Sequence, residues 1–186
     1  LCTGLATAAP SVALAVAWLE AEDRNGTERA RWATALIYLP LLLPQIAFLY
    51  GLNLLFLRIG IASGAASVIW AQTVFVFPYV MIALSDPWRA LDPSLIRTAA
   101  SLGAGPNRRL FRVKLPVLLG PLLTAAAIGF AVSIAQYLPT LFMGAGRIAT
   151  LTTEAVTLSS GSDRRVMGTY GVLQAALPFA AYGLAL

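Results

Sequence analysis

The 186-residue sequence predicts an all-α membrane protein, on three observations. Hydrophobic residues make up 59% of the chain and charged ones 11%, far below the roughly one quarter usual in soluble domains. Mean hydropathy is correspondingly high, at +0.78. Long apolar runs without Asp, Glu, Lys or Arg alternate with short charged connections, and a hydrocarbon core about 30 Å thick needs about 20 such residues in helical form. Lipid offers no partner to an unpaired backbone group, so these runs must be helices.

Five segments are predicted to span: residues 1–19, 33–53, 62–84, 117–138 and 171–186. The first has no basic leader and no convincing small-residue cleavage site, which makes it a spanning helix and not a signal peptide. A chain that opens on Leu1 and stops at Leu186 inside an apolar run reads as a fragment of a longer polypeptide with its last helix truncated. Residues 20–32 set Arg24, Arg29 and Arg31 against Glu20, Glu22, Asp23 and Glu28, and are expected to be solvated. In the second span Pro40 and Pro44 remove two backbone donors, predicting a kink or a local opening. Gly60 and Gly64 mark a short turn after Arg58.

The third span opens with Ala62, Gly64, Ala65 and Ala66, small residues of the kind that let helices approach closely in lipid. Gln72 stands in its middle, where an interhelical hydrogen bond is the expected use and solute contact the alternative. Gln45 and Gln136 are the other candidate path residues, with the same two readings. Residues 139–168 are too polar for a span and too apolar for a free loop. Gly144 and Gly146 predict a turn there, and residues 152–158 a short helix with Thr153, Thr157 and Ser160 on or near one face. Gly161, Ser162 and Asp163 should then break the chain. Glu154 is available to a cation or a partner, or is simply solvated.

Charge asymmetry gives the orientation. Nine Lys and Arg residues lie in the connections 20–32 and 85–116, whereas Arg58, Arg147, Arg164 and Arg165 lie on the opposite side, which predicts that residues 85–116 are cytoplasmic. The net charge of +5 therefore reads as membrane-flanking charge and not as a nucleic-acid surface. With one cysteine, Cys2, and no histidine, neither a Cys/His metal site nor an internal disulfide can form. No phosphate-cradling Gly-x-x-x-x-Gly-Lys-Ser/Thr loop is present, and no cofactor is expected. An ion-coupled secondary transporter is the competing class, but such proteins commonly carry ionisable residues within their spans, and these spans have none. A membrane-embedded enzyme would need convergent acids, bases or a metal, and lacks them.

One polar segment is patterned enough to be a recognition element: residues 92–116, DPSLIRTAASLGAGPNRRLFRVKLP. Asp92 and Pro93 predict a helix start. Leu95, Ala99 and Leu102, with Ile96 and Ala100 alongside, give an apolar face, and Gly103 predicts a left-handed stop. A second helix should restart at Gly105 and Pro106, with Arg108, Arg109 and Arg112 on one face. Two short helices about a glycine corner form a knob that can transmit displacement, which a floppy loop would absorb.

This segment resembles the EAA loop of importer-type ABC transporter permeases: Glu-Ala-Ala, three residues, Gly, nine residues, Ile, one residue, Leu-Pro. With Gly103 as anchor, Val113 takes the Ile position and Leu115-Pro116 match outright, while Ala99 matches the second Ala. Thr98 and Arg97 replace the first Ala and the Glu, a departure that bears on the polar contact the family makes there. The resemblance extends over nearly the whole chain and implies a type I importer permease core, a single domain over residues 1–186 with residues 85–116 as its coupling loop. The protein would lie as a multi-pass protein in the bacterial inner membrane. It further implies that chemistry resides in cytoplasmic ABC ATPase subunits, with a second permease copy or half and an extracytoplasmic solute-binding protein completing the assembly.

Under this resemblance Leu95, Ile96, Ala99 and Leu102 form the docking face and Gly103 the corner. Arg108, Arg109 and Arg112 contact the ATPase or anionic lipid, or act as positive-inside anchors. The Gly144–Arg147 turn and the Thr-Thr-Glu-Ala run from Thr152 look most like permeases of the thiamine, iron and polyamine group.

Overall fold

The computed structural model describes residues 2–26, 31–61, 64–159 and 164–185, and these are helical almost throughout. The helices are α1 (Cys2–Asn25), α2 (Arg31–Leu42), α3 (Gln45–Arg58), α4 (Ala65–Arg89), α5 (Pro93–Ser101) and α6 (Pro106–Arg109). A π-helical turn, Leu110–Lys114, leads into α7 (Leu115–Val117), α8 (Leu119–Ala135), α9 (Leu138–Gly144), α10 (Leu151–Ser159) and α11 (Arg164–Ala185).

α1, α4 and α8 form the core. Thr7 meets Gln72 and Asp23 meets Trp88, so α1 and α4 run parallel in constant register over about 24 Å. α8 returns antiparallel, with Ser133 on Gln72 at one end and Leu118 packed beside Leu84 and Trp88 at the other. Between these levels Ala15, Leu19, Val76, Val80, Met81 and Ala125 fill the interior. α11 lies on the outer side of α8, bringing Leu177 and Ala181 to Phe130 and Ile134.

By length and composition α1 and α4 can each cross a bilayer. Two bent pairs, residues 35–58 and 106–135, each add one span if the pair crosses as a unit. The described residues thus hold two to four candidate spans, fewer than the five predicted. α11 has the length but is not among them, because Gly, Thr, Tyr and Gln dilute its apolar run.

The second predicted span is two helices and not one kinked one, bent by 107° at Leu43 and Pro44. Pro44 has no N–H to offer the carbonyl of Pro40 and its ring would clash there, while Leu43 is driven out of the helical region by the proline after it. The parallel packing of α1 and α4 nevertheless requires the intervening chain to travel back along their length.

Two further expectations are corrected. α1 continues past the predicted end at Leu19 to Asn25, and Glu20, expected in solvent, is 7% exposed. Ala65 and Ala66 are exposed within the described residues and make no close helix contact there, Ala66 instead bordering an open cleft with Pro10 and Leu14 of α1. The intimate contact is made by Gly129 on α8, where a Cβ would stand 3.0 Å from Val80 Cγ2 and 3.3 Å from Val76 Cγ1. The turn predicted at Gly144 and Gly146 is present, with Ala145 and Gly146 left-handed. Ala62, Ser160 and the break at 161–163 lie outside the described residues.

Candidate functional site

The segment 92–116 folds as a cornered pair of short helices. Asp92 caps α5 by accepting from the Ser94 amide at 2.8 Å and from the Ser94 hydroxyl at 2.6 Å, with Pro93 as the first helical residue. These bonds hold the Asp92 carboxyl below its ordinary value; the charge of Arg97 acts in the same direction, and slight desolvation opposes it. Gly103 takes φ +78°, and two bonds close the helix end: Gly103 N–H to Ala100 C=O and Ala104 N–H to Ala99 C=O, both 3.0 Å. That pairing satisfies carbonyls the helix would otherwise strand.

The apolar face read from the sequence is divided. Leu95 and Leu102 are 45% and 81% exposed, whereas Ile96 and Ala99 are half-buried against the rest of the loop. Arg97 and Thr98 are exposed. On the returning arm Val113 and Leu115 are half-buried and Pro116 is exposed. Arg108 and Arg112 project outward, but Arg109 turns in, so the three arginines do not share one exposed face.

The loop is anchored to the spans through a side chain that the sequence reading left unremarked. Lys114, the only lysine in the sequence, is buried. Its ammonium lies 2.6 Å from Glu20 Oε2 and 2.5 Å from Asp23 Oδ2, and 5.1 Å from the Trp88 ring centre. Trp88 Nε1 donates to Asp23 at 3.0 Å, and Arg24 bonds Glu20 and Asn107, each at 2.8 Å. The last turns of α1 and α4 are thereby tied to the returning arm of the loop, at Asn107 and Lys114. Glu20 and Asp23 fall three apart on one helix face, where a single cation reaches both, but their own segment does not show which cation arrives.

Within the bundle the three glutamines separate. Gln72 is buried and fully engaged: Oε1 accepts from Ser133 at 2.8 Å and from Thr7 at 3.0 Å, and Nε2 donates to Thr140 at 3.0 Å. Thr7 shares its single proton between Gln72 and the Thr3 carbonyl, 2.8 Å away. Gln72 thus joins α1, α8 and α9 to α4, the use expected of an intramembrane amide.

Gln45 and Gln136 line a different place, a cleft of about 480 Å³ shared with Phe75, Tyr79 and Tyr137. Both sit at helix breaks, Gln45 after Pro44 and Gln136 in the extended link between α8 and α9. Gln136 Oε1 is buried without a hydrogen-bond donor. Non-helical backbone at membrane depth is tolerated where it is buried in protein or lines a cavity.

On the segment 139–168 Thr150 and Thr153 hydrogen-bond reciprocally at the start of α10, and the Thr152 hydroxyl donates to the Ile134 carbonyl. Thr157 bonds back to Thr153, and Glu154 is half-buried in the first turn. Among the described residues no cluster of His, Cys, Asp and Glu could hold a metal ion.

The described residues thus form an all-helical membrane component whose polar centrepiece is a cornered loop tied to α1 and α4. The chain matches the family described as "Binding-protein-dependent transport system inner membrane component" over residues 10–186, and it belongs to that family. It is 37% identical over 184 residues to the inner membrane ABC transporter permease protein YnjC of Escherichia coli K12, a match covering 99% of this chain and 35% of that protein. It is 36% identical over 124 residues to the molybdenum transport system permease protein ModB of Mycobacterium bovis, covering 60% of this chain and 47% of that one. Over 107 residues it is 28% identical to the putrescine transport system permease protein PotI of E. coli K12, covering 53% and 37%. The chain thus spans about a third to a half of the length of these relatives.

Proposed function

We propose that the chain forms the permease part of an ATP-driven importer, with a cytoplasmic ABC ATPase seated on the loop at residues 92–116. The observation that carries this is the rigid corner at Gly103, with Leu95 and Leu102 left uncovered on one side and Lys114 fixed to Glu20 and Asp23 on the other. Movement of a partner gripping Leu95 and Leu102 is passed through the corner and the buried ion pair to α1, and through Trp88 to α4. The nine-to-four distribution of basic residues supports the cytoplasmic placement.

The domain is taken as residues 1–186, with 85–116 as its coupling loop. A second permease copy or half faces the cleft of Gln45 and Gln136 to complete a path, and a solute-binding protein delivers to its outer end. Gln72, spent on four helices, supports the walls of that path. Molybdenum and putrescine, named for two relatives, differ in charge and chemistry, so these likenesses point to the transport class and leave the solute open.

The test uses the complete protein with its ATPase in detergent. Gly103→Pro removes the N–H that bonds Ala100 and cannot take φ +78°. Loss of co-purification, or of solute-stimulated ATP turnover, is the expected result. Recovery and turnover equal to those of the native chain would refute the coupling role.

A further inference from the structure

We propose that the cleft between the ends of α1 and α4 and the inner face of α5 is an anion site that takes a phosphate group, carried by an anionic phospholipid headgroup or by a soluble phosphate. The cleft has a volume of about 710 Å³. Arg24, Arg89, Arg97, Arg109 and Lys114 line it, against the carboxylates of Glu20 and Asp23. Those two carboxylates are already taken, Glu20 by Arg24 and Lys114, and Asp23 by Lys114 and Trp88.

Three positive charges are left over. Among the described residues Arg89, Arg97 and Arg109 form no salt bridge. Arg97 acts on Asp92 only through space, since the Asp92 oxygens are occupied by Ser94. Arg109 Nε is buried and lacks an acceptor. A charged donor withdrawn from water without a partner is costly, and the group that relieves it must bring several acceptor oxygens and negative charge. Phosphate does both and suits the planar guanidinium fork.

The place favours a lipid or small anion over a protein. The cleft opens at the ends of the two helices able to cross a bilayer, and Trp88, Leu91 and Ile96 give it an apolar wall. Leu95 and Leu102, the docking residues left most exposed, do not line it, whereas Ile96 on the same helix does, so the cleft lies on the opposite side of α5 from them. A phosphate there would bridge Arg97 on α5 and Arg109 on α6 to Arg89 on α4, setting the angle of the loop against the spans.

The experiment follows thermal unfolding of the complete, delipidated protein in nanodiscs. The discs contain phosphatidylcholine alone, phosphatidylcholine with phosphatidylglycerol, or phosphatidylcholine with millimolar inorganic phosphate at matched ionic strength. The expected result is a raised midpoint with phosphatidylglycerol or with phosphate, and whichever acts identifies the source. R97Q and R109Q each lose most of that shift, while R58Q, remote from the cleft, keeps it. No shift in the native protein, or an undiminished shift in both R97Q and R109Q, overturns the proposal. If the two variants keep the shift but lose the ATPase, the cations serve an acidic group of that partner and the proposal also falls.

Discussion

Lys114 Nζ lies 2.6 Å from Glu20 Oε2, joining residues 94 positions apart across the base of the bundle. Both side chains are almost completely withdrawn from solvent, at 7% and 9% exposure. The pair makes a mechanical joint, because Glu20 ends the apolar part of α1 while Lys114 is the last residue of the turn that leads the loop back into α8. A surface pair at the same spacing would be screened and loose. This one can carry displacement, since separating it leaves a charge without water.

Lys114→Met is therefore expected to destabilise the protein by about 3 kcal/mol, the low end of the cost of breaking a buried pair, because Arg24 remains on Glu20 and Asp23 is half exposed. Thermal unfolding in detergent provides the measurement. Glu20→Gln combined with Lys114→Met should recover much of the loss, because the ions left without their partners, Arg24 and Asp23, are both about half exposed and can be hydrated. A double variant no more stable than Lys114→Met alone would show that the lysine acts through its stem and the Trp88 ring, and not through Glu20.

Gly129 gives a second expectation, a steric one. Its missing Cβ would stand 3.0 Å from Val80 Cγ2, so Gly129→Leu should force α8 off α4 and cost about 1 to 3 kcal/mol. Val80→Ala in the same chain opens that space and should return part of the stability. The unfolding midpoints of the single and double variants decide it, and additive losses would mean that the helices yield elsewhere.

The sequence made legible what depends on local pattern. Asp92, Pro93 and Gly103 announced a capped helix and a left-handed stop because each acts on its own neighbours, and the structure has both. What escaped was what depends on tertiary pairing. Glu20 read as solvated because nothing in its own segment shows that Lys114 arrives from 94 positions away. Pro40 and Pro44 announced an interruption, but their spacing of four decides between a kink and a break only when the geometry is built, and the result is 107°. Ala65 and Ala66 had the right composition for a packed face, but both are exposed, and the close approach to α4 is made by Gly129 of α8.

Gln72 and Gln136 should respond differently to the same change. Gln72→Leu removes three interhelical hydrogen bonds. It is expected to cost about 1 to 2 kcal/mol, since such bonds average about 0.6 kcal/mol in membranes. Solute specificity should be untouched. Gln136→Leu removes an acceptor that no donor among the described residues satisfies, so stability should hold while uptake falls. Paired measurements of the unfolding midpoint and uptake in proteoliposomes separate the two, and a stability loss confined to Gln136→Leu would reverse the assignment.

The cap at Asp92 predicts a pH dependence whose sign is fixed. Hydrogen bonds from the Ser94 hydroxyl and amide hold the folded carboxyl below its ordinary value, with Arg97 adding to them. A depressed carboxyl stabilises the helix start fully above the unfolded value and loses that contribution as pH falls through the folded one. The protection of the Ser94 amide, its exchange rate taken relative to the intrinsic rate at the same pH, should therefore be high at neutral pH and fall only below the ordinary aspartate range. Asp92→Asn keeps an acceptor at the cap but cannot titrate, so protection should persist without that acid step. Asp92→Ala should leave the amide without that protection at every pH. An acid step of the same size in Asp92→Asn would transfer the effect to another group, and the start of α5 would then owe its order to Pro93 and not to the carboxylate.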